Sequence, residues 1–210
     1  MAPSVQTAAP LVPQPPTLPA LREAAAGCRA CHLWERGTQT VFGEGAAGSR
    51  ILFVGEQPGD REDLEGRPFV GPAGRLFDEA LVAAGIDRGD VYVTNAVKHF
   101  KWEARGKRRI HQRPAAPEIT ACRPWLEAEI EAVQPEIVVC LGATAAHSLL
   151  GSSFRVTKQR GQFVEGLLGP VVTATIHPSS ILRAPDEAAR KEAMDGFVAD
   201  LRAVAERLGG

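Results

Sequence analysis

The sequence predicts an α/β fold, a three-layer sandwich in which helices flank a central and mainly parallel four-stranded sheet. Four short runs rich in β-branched residues are typical of strands that are buried on both faces. Segments with helical periodicity separate these runs, and alternation of strands with helices favours a parallel sheet. The chain of 210 residues is long enough for one such domain.

The predicted strands and helices follow one another along the chain. The strands are expected at residues 50–54, 91–94, 137–141 and 171–176. The helices are expected at residues 73–84, 116–133, 143–150 and 186–208. The last helix presents an apolar face that includes Phe197 and Leu201, with Asp186 as its candidate N-cap.

The first twenty residues differ in composition from the rest of the chain. They contain six prolines, which interrupt both helices and strand ladders. We therefore expect residues 1–20 to be a disordered tail and residues 21–210 to form a single domain.

Composition and charge exclude several classes of protein. Hydrophobic residues at 44% and charged residues at 23% predict a soluble globular protein, and no apolar run has the length of a membrane span. A formal net charge of -1 excludes binding to polyanions through bulk charge, so a nucleic-acid contact must be local. Four unevenly spaced cysteines without a secretory signal favour a reducing compartment. We expect a cytoplasmic monomer.

Polar motifs follow each predicted strand at its carboxyl end. In chain order they are the segments 55–59 (GEQPG), 95–98 (NAVK), 142–144 (GAT) and 177–180 (HPSS). Because function in open parallel sheets lies beyond the carboxyl ends of the strands, we expect these motifs to converge on one edge.

Taken in order, these motifs resemble those of the uracil-DNA glycosylase superfamily, and the cysteine spacing resembles its iron–sulfur branch. Residues 67–76 (RPFVGPAGRL) add to the resemblance, which covers most of residues 28–183. The segment 107–111 (KRRIH) is similar to the extra loop of the family X members, which attach covalently to uracil-containing DNA. The resemblance implies a uracil-DNA glycosylase-like fold.

The four cysteines are Cys28, Cys31, Cys122 and Cys140. Thiolates bind both zinc and iron–sulfur clusters, so their chemistry alone leaves the metal open. The resemblance implies a [4Fe-4S] cluster held by all four. In the alternative, Cys122 and Cys140 are buried apolar residues and the CxxC pair is accidental.

The resemblance also implies cleavage of the bond between N1 of uracil and the sugar C1′. This step produces a cation-like sugar and a uracil anion, which need opposite charges nearby. Glu56 would stabilise the sugar, and His177 would donate a hydrogen bond to O2 of the leaving base. The alternatives are a solvated loop glutamate and a turn histidine.

Three further side chains are predicted to bind the base. Asn95 offers a donor and an acceptor that match the N3–H and O4 edge of uracil, and Phe69 would stack on the flipped base. Gln57 would line the same pocket through its backbone or its amide. As alternatives, Asn95 simply ends a strand and Phe69 packs into the core.

The basic segment 98–113 ends close to His111. A neutral imidazole is a competent nucleophile, so we interpret His111 as a covalent trap for the sugar cation. In the alternative, His111 only positions DNA. Phosphate contacts are expected from the basic loop and from the segment after His177, through Lys107, Arg108, Arg109, Ser179, Ser180 and Arg183.

Three functional hypotheses follow. The first is a single-turnover enzyme that excises uracil and captures the DNA sugar through a histidine. The second is a conventional uracil-DNA glycosylase of the iron–sulfur type, which releases an abasic site. The third is a non-catalytic nucleic-acid-binding or iron–sulfur sensing module. For the first two, the expected partner is uracil-containing DNA, with single strands preferred, and the expected product is free uracil.

Overall fold

The structure, a computed structural model, describes residues 7–166 and 168–209. Within these ranges the chain forms the strands β1 (Ile51–Gly55), β2 (Val91–Asn95), β3 (Trp102–Arg105), β4 (Arg108–His111), β5 (Ile137–Leu141), β6 (Val164–Glu165) and β7 (Val171–Thr175). The α-helices are α1 (Leu18–Ala26), α2 (Asp60–Glu65), α3 (Pro72–Ala84), α4 (Ala116–Val133), α5 (Ala143–Leu150), α6 (Val156–Gln159), α7 (Pro178–Leu182) and α8 (Glu187–Gly209).

Five strands form the central sheet, in the order β2-β1-β5-β7-β6. The first four are parallel to one another, and β6 runs antiparallel to β7 at the edge. The predicted α/β fold with a mainly parallel sheet is therefore confirmed, with one strand more than the four expected. The extra strand contains only Val164 and Glu165, which is too short to leave an apolar run in the sequence.

Helices cover both faces of this sheet. On one face, Phe77 of α3 and Leu201 of α8 pack in the cluster that contains Phe53 of β1. On the other face, Leu126 of α4 packs in the cluster that contains Leu52, the preceding residue of β1. Successive side chains of a strand point to opposite faces, so one buried strand supplies both halves of the core.

The long helices occupy the predicted segments. The helices α4 and α5 coincide with the expected ranges, and α8 begins one residue later than expected. Asp186 caps α8, since its Oδ1 accepts a hydrogen bond from the backbone N–H of Ala189 at 2.8 Å. None of the helices in the described ranges is long and apolar enough to cross a membrane.

The amino-terminal segment corrects the prediction of a disordered tail over residues 1–20. Residues 1–6 lie outside the described residues, but residues 9–11 form a 3-10 helix and α1 already begins at Leu18. Ala8 is buried, and its backbone N–H donates to the carbonyl of Ala121 in α4 at 2.9 Å. The prolines therefore allow short helical elements, in which proline occupies the first turn, and they do not prevent the segment from docking on α4.

A second departure from the prediction lies in the basic segment 98–113. The strands β3 and β4 pair antiparallel as a two-stranded sheet of their own, with Trp102 opposite His111. We refer to residues 102–111 as the basic hairpin. It stands beside the carboxyl ends of the central strands and brings His111 to them.

Candidate active site

A cavity of about 830 Å³ opens where the parallel strands end. Its lining includes Glu56, Asn95, Thr144 and His177, one from each of the four polar motifs. The convergence expected from the parallel topology is therefore confirmed. His111 of the basic hairpin completes this set of polar groups.

Glu56 follows β1 directly and presents its carboxylate to the cavity. Thr144 Oγ1 donates a hydrogen bond to Glu56 Oε2. The other oxygen, Oε1, lies 3.5 Å from Nε2 of His111, and the Arg113 guanidinium lies 3.6 Å from Oε2. The carboxylate thus combines one hydrogen bond with two longer contacts, of which the one to Arg113 is with a positive charge.

His177 follows β7 and is fixed in one tautomer. Its Nδ1 accepts the backbone N–H of Ser179 at 3.1 Å and lies 2.8 Å from the hydroxyl of the same serine. A backbone N–H can only donate, so the neutral ring carries its proton on Nε2. Burial, followed by the positive charge of Arg183 and by His111, lowers the pKa of His177 to about 4. Near pH 7 the residue is a neutral N–H donor.

His111 ends β4, and its side chain is 48% exposed. Partial burial lowers the pKa of its imidazole below the ordinary value, although the Glu56 carboxylate acts in the opposite direction. The ring centroid lies 6.0 Å from that of Phe100. A neutral imidazole therefore stands at the mouth of the cavity, beside the carboxylate of Glu56.

Asn95 ends β2 and is 4% exposed, yet its side chain lines the cavity. Its Oδ1 lies over Gly55, where an added Cβ would come within 2.3 Å of it. Among the described residues its amide forms no hydrogen bond to protein. The amide atoms open into the cavity without a protein partner, so they are available to a polar ligand there.

A buried ion pair supports the turn that carries Asn95, and sequence reasoning missed it. Lys98 Nζ donates to the backbone carbonyl of Asn95 at 2.7 Å and to Glu129 Oε2 at 2.5 Å. The side chains of Lys98 and Glu129 are 1% and 0% exposed. Nothing in the local pattern around Lys98 distinguished it from the exposed basic residues that follow it.

Phe69 lies in the loop before α3 and forms an apolar wall of the cavity. Its ring is stacked on that of His177 with 6.4 Å between centroids, and it contacts Phe77 at 5.4 Å. The backbone of Phe69 has a φ of 57°, which is uncommon for an aromatic residue. Such a conformation at a cavity wall is typical of a functional site.

Gln57 lines the cavity, and the hydrogen bonds of its side-chain amide are made to the protein backbone. Its Nε2 donates to the carbonyls of Lys101 and Gln112, at 3.2 and 3.0 Å, and its Oε1 accepts the N–H of Lys101 at 3.2 Å. These contacts occupy the amide with the two ends of the basic hairpin. Gln57 lines the cavity, but its side chain positions the hairpin.

Arg109 was expected to bind DNA phosphates, and the structure assigns its guanidinium to the protein itself. Its Nε lies 2.6 Å from Asp60 Oδ1, and its Nη1 lies 2.6 Å from Oδ2 of Asp63, whose side chain is 0% exposed. This pairing fastens the basic hairpin to α2. Lys107 and Arg108, at the tip of the hairpin, are exposed and form no ion pair with any described residue.

The segment after His177 forms the short helix α7. The hydroxyl of Ser180 donates to the carbonyl of His177 at 2.7 Å, and Ser179 bonds Nδ1 of the same residue. Both serines therefore stabilise the start of the helix. Arg183, just after α7, is exposed at the rim of the cavity.

Three of the four cysteines share one neighbourhood. Cys28, Cys31 and Cys122 pack in or against one core cluster. Trp125 Nε1 donates to Cys28 Sγ at 3.3 Å, and the backbone N–H of Lys98 donates to Cys122 Sγ at 3.2 Å. Burial raises the pKa of Cys122 to about 12.

Cys140 does not join this group, which corrects the expected set of four ligands. It lies within β5, paired with Val54 on one side and Ala174 on the other, in a different core cluster. Its thiol is fully buried in the sheet. Within the described ranges, no three metal-binding side chains converge on one point.

The fold and the cavity together define an α/β protein with a carboxylate, two imidazoles and an amide at the carboxyl edge of a parallel sheet. A model of the Uracil DNA glycosylase superfamily matches residues 42–202 of the chain. This match covers most of the sequence, and the chain belongs to that superfamily.

The chain is similar to several curated relatives. It is 43% identical to the type-4 uracil-DNA glycosylase of Thermotoga maritima, over 74% of this chain and 78% of the relative. It is 37% identical to the type-4 enzyme of Sulfurisphaera tokodaii, over 81% of this chain and 78% of the relative. A type-5 uracil-DNA glycosylase of Pyrobaculum aerophilum is 32% identical, over 79% and 77%. These names support the superfamily but not the expected family X branch.

Proposed function

We propose that the protein is a uracil-DNA glycosylase, which cleaves the bond between N1 of uracil and C1′ of the DNA sugar. The observation that carries this proposal is the side-chain amide of Asn95, which opens into the cavity and has no protein partner in the described part of the chain. The names of the relatives support the same activity.

Base recognition would combine an edge contact with stacking. The amide of Asn95 can accept from N3–H of uracil and donate to O4, whereas cytosine presents the reverse pattern. The ring of Phe69 provides an apolar face against which the flipped base can stack. The buried ion pair below Asn95 keeps its backbone in place.

Bond cleavage would place positive charge on the sugar and negative charge on the departing base. The Glu56 carboxylate stabilises the sugar cation, and Nε2–H of neutral His177 donates to O2 of the uracil anion. The carboxylate and the imidazole are already in place before the reaction, so the site does not need to reorganise. This preorganisation lowers the barrier to cleavage of the glycosidic bond. Uracil leaves as an anion and is then protonated by solvent.

Two fates of the sugar cation remain for experiment to separate. In the conventional reaction a water molecule adds its oxygen to C1′ and releases a proton, which leaves an abasic site; the type-4 and type-5 relatives favour this outcome. As a second candidate, Nε2 of His111, in the tautomer with its proton on Nδ1, donates its lone pair to C1′, and the imidazolium so formed releases the Nδ1 proton to solvent. The neutral imidazole beside Glu56 favours that alternative.

DNA would approach over the rim of the cavity. The exposed side chains of Lys107 and Arg108 on the basic hairpin, and of Arg183 after α7, are free for phosphates. Arg109 is excluded from this set by its pairing with Asp60 and Asp63.

A gel experiment tests the function and separates the two fates. The protein is incubated with a uracil-containing oligonucleotide, and free uracil is measured by chromatography while the DNA is resolved on a denaturing gel. We expect uracil release with an alkali-labile site and no heat-stable shifted band. A heat-stable band that disappears in His111→Gly, while uracil release continues, would instead establish covalent capture.

We also propose that the chain holds an iron–sulfur cluster through Cys28, Cys31 and Cys122, without Cys140. The N–H groups that donate to Cys28 and Cys122 suit cluster sulfurs, and the three thiols share one cluster of buried residues. When bound, the group would cross-link the amino-terminal segment to α4.

Iron content distinguishes these ligand sets. In anaerobically purified protein, Cys122→Ser should lose most of the iron and the visible absorbance, because a ligand is removed. Cys140→Ser is the matched control and should keep both, since its thiol lies inside the sheet. Equal loss in the two variants would restore the four-cysteine site, and zinc in place of iron would contradict the cluster.

A further inference from the structure

The motif 142–144 supplies a contact to Glu56 that the functions above have not used. Gly142 lies between β5 and α5 and has a φ of 89°, which turns the chain sharply into α5. An added Cβ on Gly142 would come within 3.1 Å of the Cβ of His177. The first turn of α5 is thus packed between the two residues that carry the proposed chemistry.

Thr144, in that first turn, is 7% exposed, and its hydroxyl donates to Oε2 of Glu56. A β-branched side chain in a helix has few rotamers, so the position of this hydroxyl is set by the helix. The contact is also favourable because a carboxylate at a helix N-terminus interacts with the positive end of the helix dipole.

The other groups that face the carboxylate hold it less firmly. The Arg113 guanidinium lies 3.6 Å away on a side chain that is 78% exposed, so solvent screens its charge. His111 lies 3.5 Å from Oε1, beyond an ordinary hydrogen bond. Thr144 is therefore the buried donor that fixes the direction of the carboxylate.

We propose that Thr144 is a positioning residue of the reaction: by holding Oε2 of Glu56, it leaves Oε1 directed into the cavity, where the sugar cation forms. This inference rests on the proposed glycosylase function. It adds a residue whose substitution should weaken the stabilisation of positive charge on the sugar without weakening the binding of DNA as such.

Two abasic-site mimics in DNA separate these effects. One oligonucleotide carries a pyrrolidine, whose ring nitrogen is cationic, in place of the sugar, and the other carries a neutral tetrahydrofuran. In Thr144→Val we expect the Kd for the cationic DNA to rise about tenfold or more, the scale of a hydrogen bond to a charged group. The Kd for the neutral DNA should change less than twofold, and Thr144→Ser, which keeps the hydroxyl, should bind like the parent.

Thr173→Val is a matched control. Thr173 is a buried threonine of β7 whose hydroxyl has no hydrogen-bond partner in the described part of the chain, so the same substitution there should leave both Kd values unchanged. Thermal unfolding of every variant checks that the fold is intact. In Thr144→Val, the rate of uracil release should fall together with the affinity for the cationic DNA.

The outcomes are distinct. A parent that releases no uracil would contradict the proposed function. A parent that releases uracil, with Thr144→Val unchanged in rate and in both affinities, would overturn the role of Thr144 alone. Equal weakening of both DNA mimics, or failure of Thr144→Ser to restore binding, would also overturn it, because either result indicates a general structural role.

Discussion

The two histidines of the cavity are held in place by contacts of different range. His177 follows a buried strand, and Nδ1 is fixed by Ser179, which is two residues away. His111 ends an exposed hairpin, and its location depends on Gln57 and Arg109, which bind the hairpin to distant parts of the chain.

This difference indicates how the two residues should respond to substitution. A contact within a short motif fixes tautomer and direction together, so His177 suits a role that needs a preset N–H donor. The position of His111 can shift with the hairpin, because the ring itself has no short hydrogen bond within the described ranges. The predictions below test that contrast.

The largest effect is expected from His177→Ala. Loss of a preorganised donor to a developing anion should lower the rate of uracil release about 10²- to 10³-fold. His111→Ala should lower it much less, because base departure does not need that ring. Single-turnover assays of both variants on the same oligonucleotide measure the contrast, and losses of similar size would show that the two histidines act together on the base.

The next effect concerns the attachment of the basic hairpin. Arg109→Met leaves the buried carboxylate of Asp63 without its cation, which should lower the free energy of unfolding by about 3 kcal/mol. Arg108→Met changes a neighbouring exposed arginine and should cost less than about 0.5 kcal/mol. Urea titration compares the two variants. If they were equally stable, Arg109 would be as free to bind phosphate as the sequence first predicted.

A smaller effect follows from the pKa of His177, which burial lowers to about 4 from 6.5. Between these values the unfolded chain binds more protons than the folded one, so stability falls as the pH falls from 6.5 towards 4. Between pH 7 and pH 5 the contribution is on the order of 2 kcal/mol.

The matched measurement is urea unfolding of the parent and of His177→Gln at both pH values. We expect the variant to lose less stability than the parent on acidification, because it lacks the group that must be protonated on unfolding. Parallel pH dependence of the two proteins would show that His177 is not the group responsible.

Much of the sheet could be predicted from the sequence. Strands such as Ile137–Leu141 are continuous apolar runs because both faces are buried, and this leaves a signal in the sequence that does not depend on neighbours. The edge strand β6, with Val164 and Glu165, gives no such signal, because its pairing depends on the position of β7 in the folded sheet.

The proposed site divides in the same way. The segments after the strands identified Glu56, Asn95 and His177, because a parallel sheet brings the carboxyl ends of its strands to one edge. Gln57 lines the cavity as expected, but its amide binds the protein backbone, and the guanidinium of Arg109 is paired with protein carboxylates. The residue type alone does not show whether a glutamine or an arginine binds a substrate or another part of the protein. The partners of the side chain distinguish the two cases, and they are known only from the folded structure.

The sequence by itself determined the α/β architecture and the membership of the superfamily. It also determined that a polar motif follows each of the four parallel strands. These follow from periodicity and from motifs that are local in the chain. The tertiary structure decided that Cys140 lies apart from the other cysteines and that Thr144 bonds Glu56, 88 residues away. Such pairings depend on which buried group reaches which partner after folding, because desolvation makes each hydrogen bond and charge depend on its surroundings.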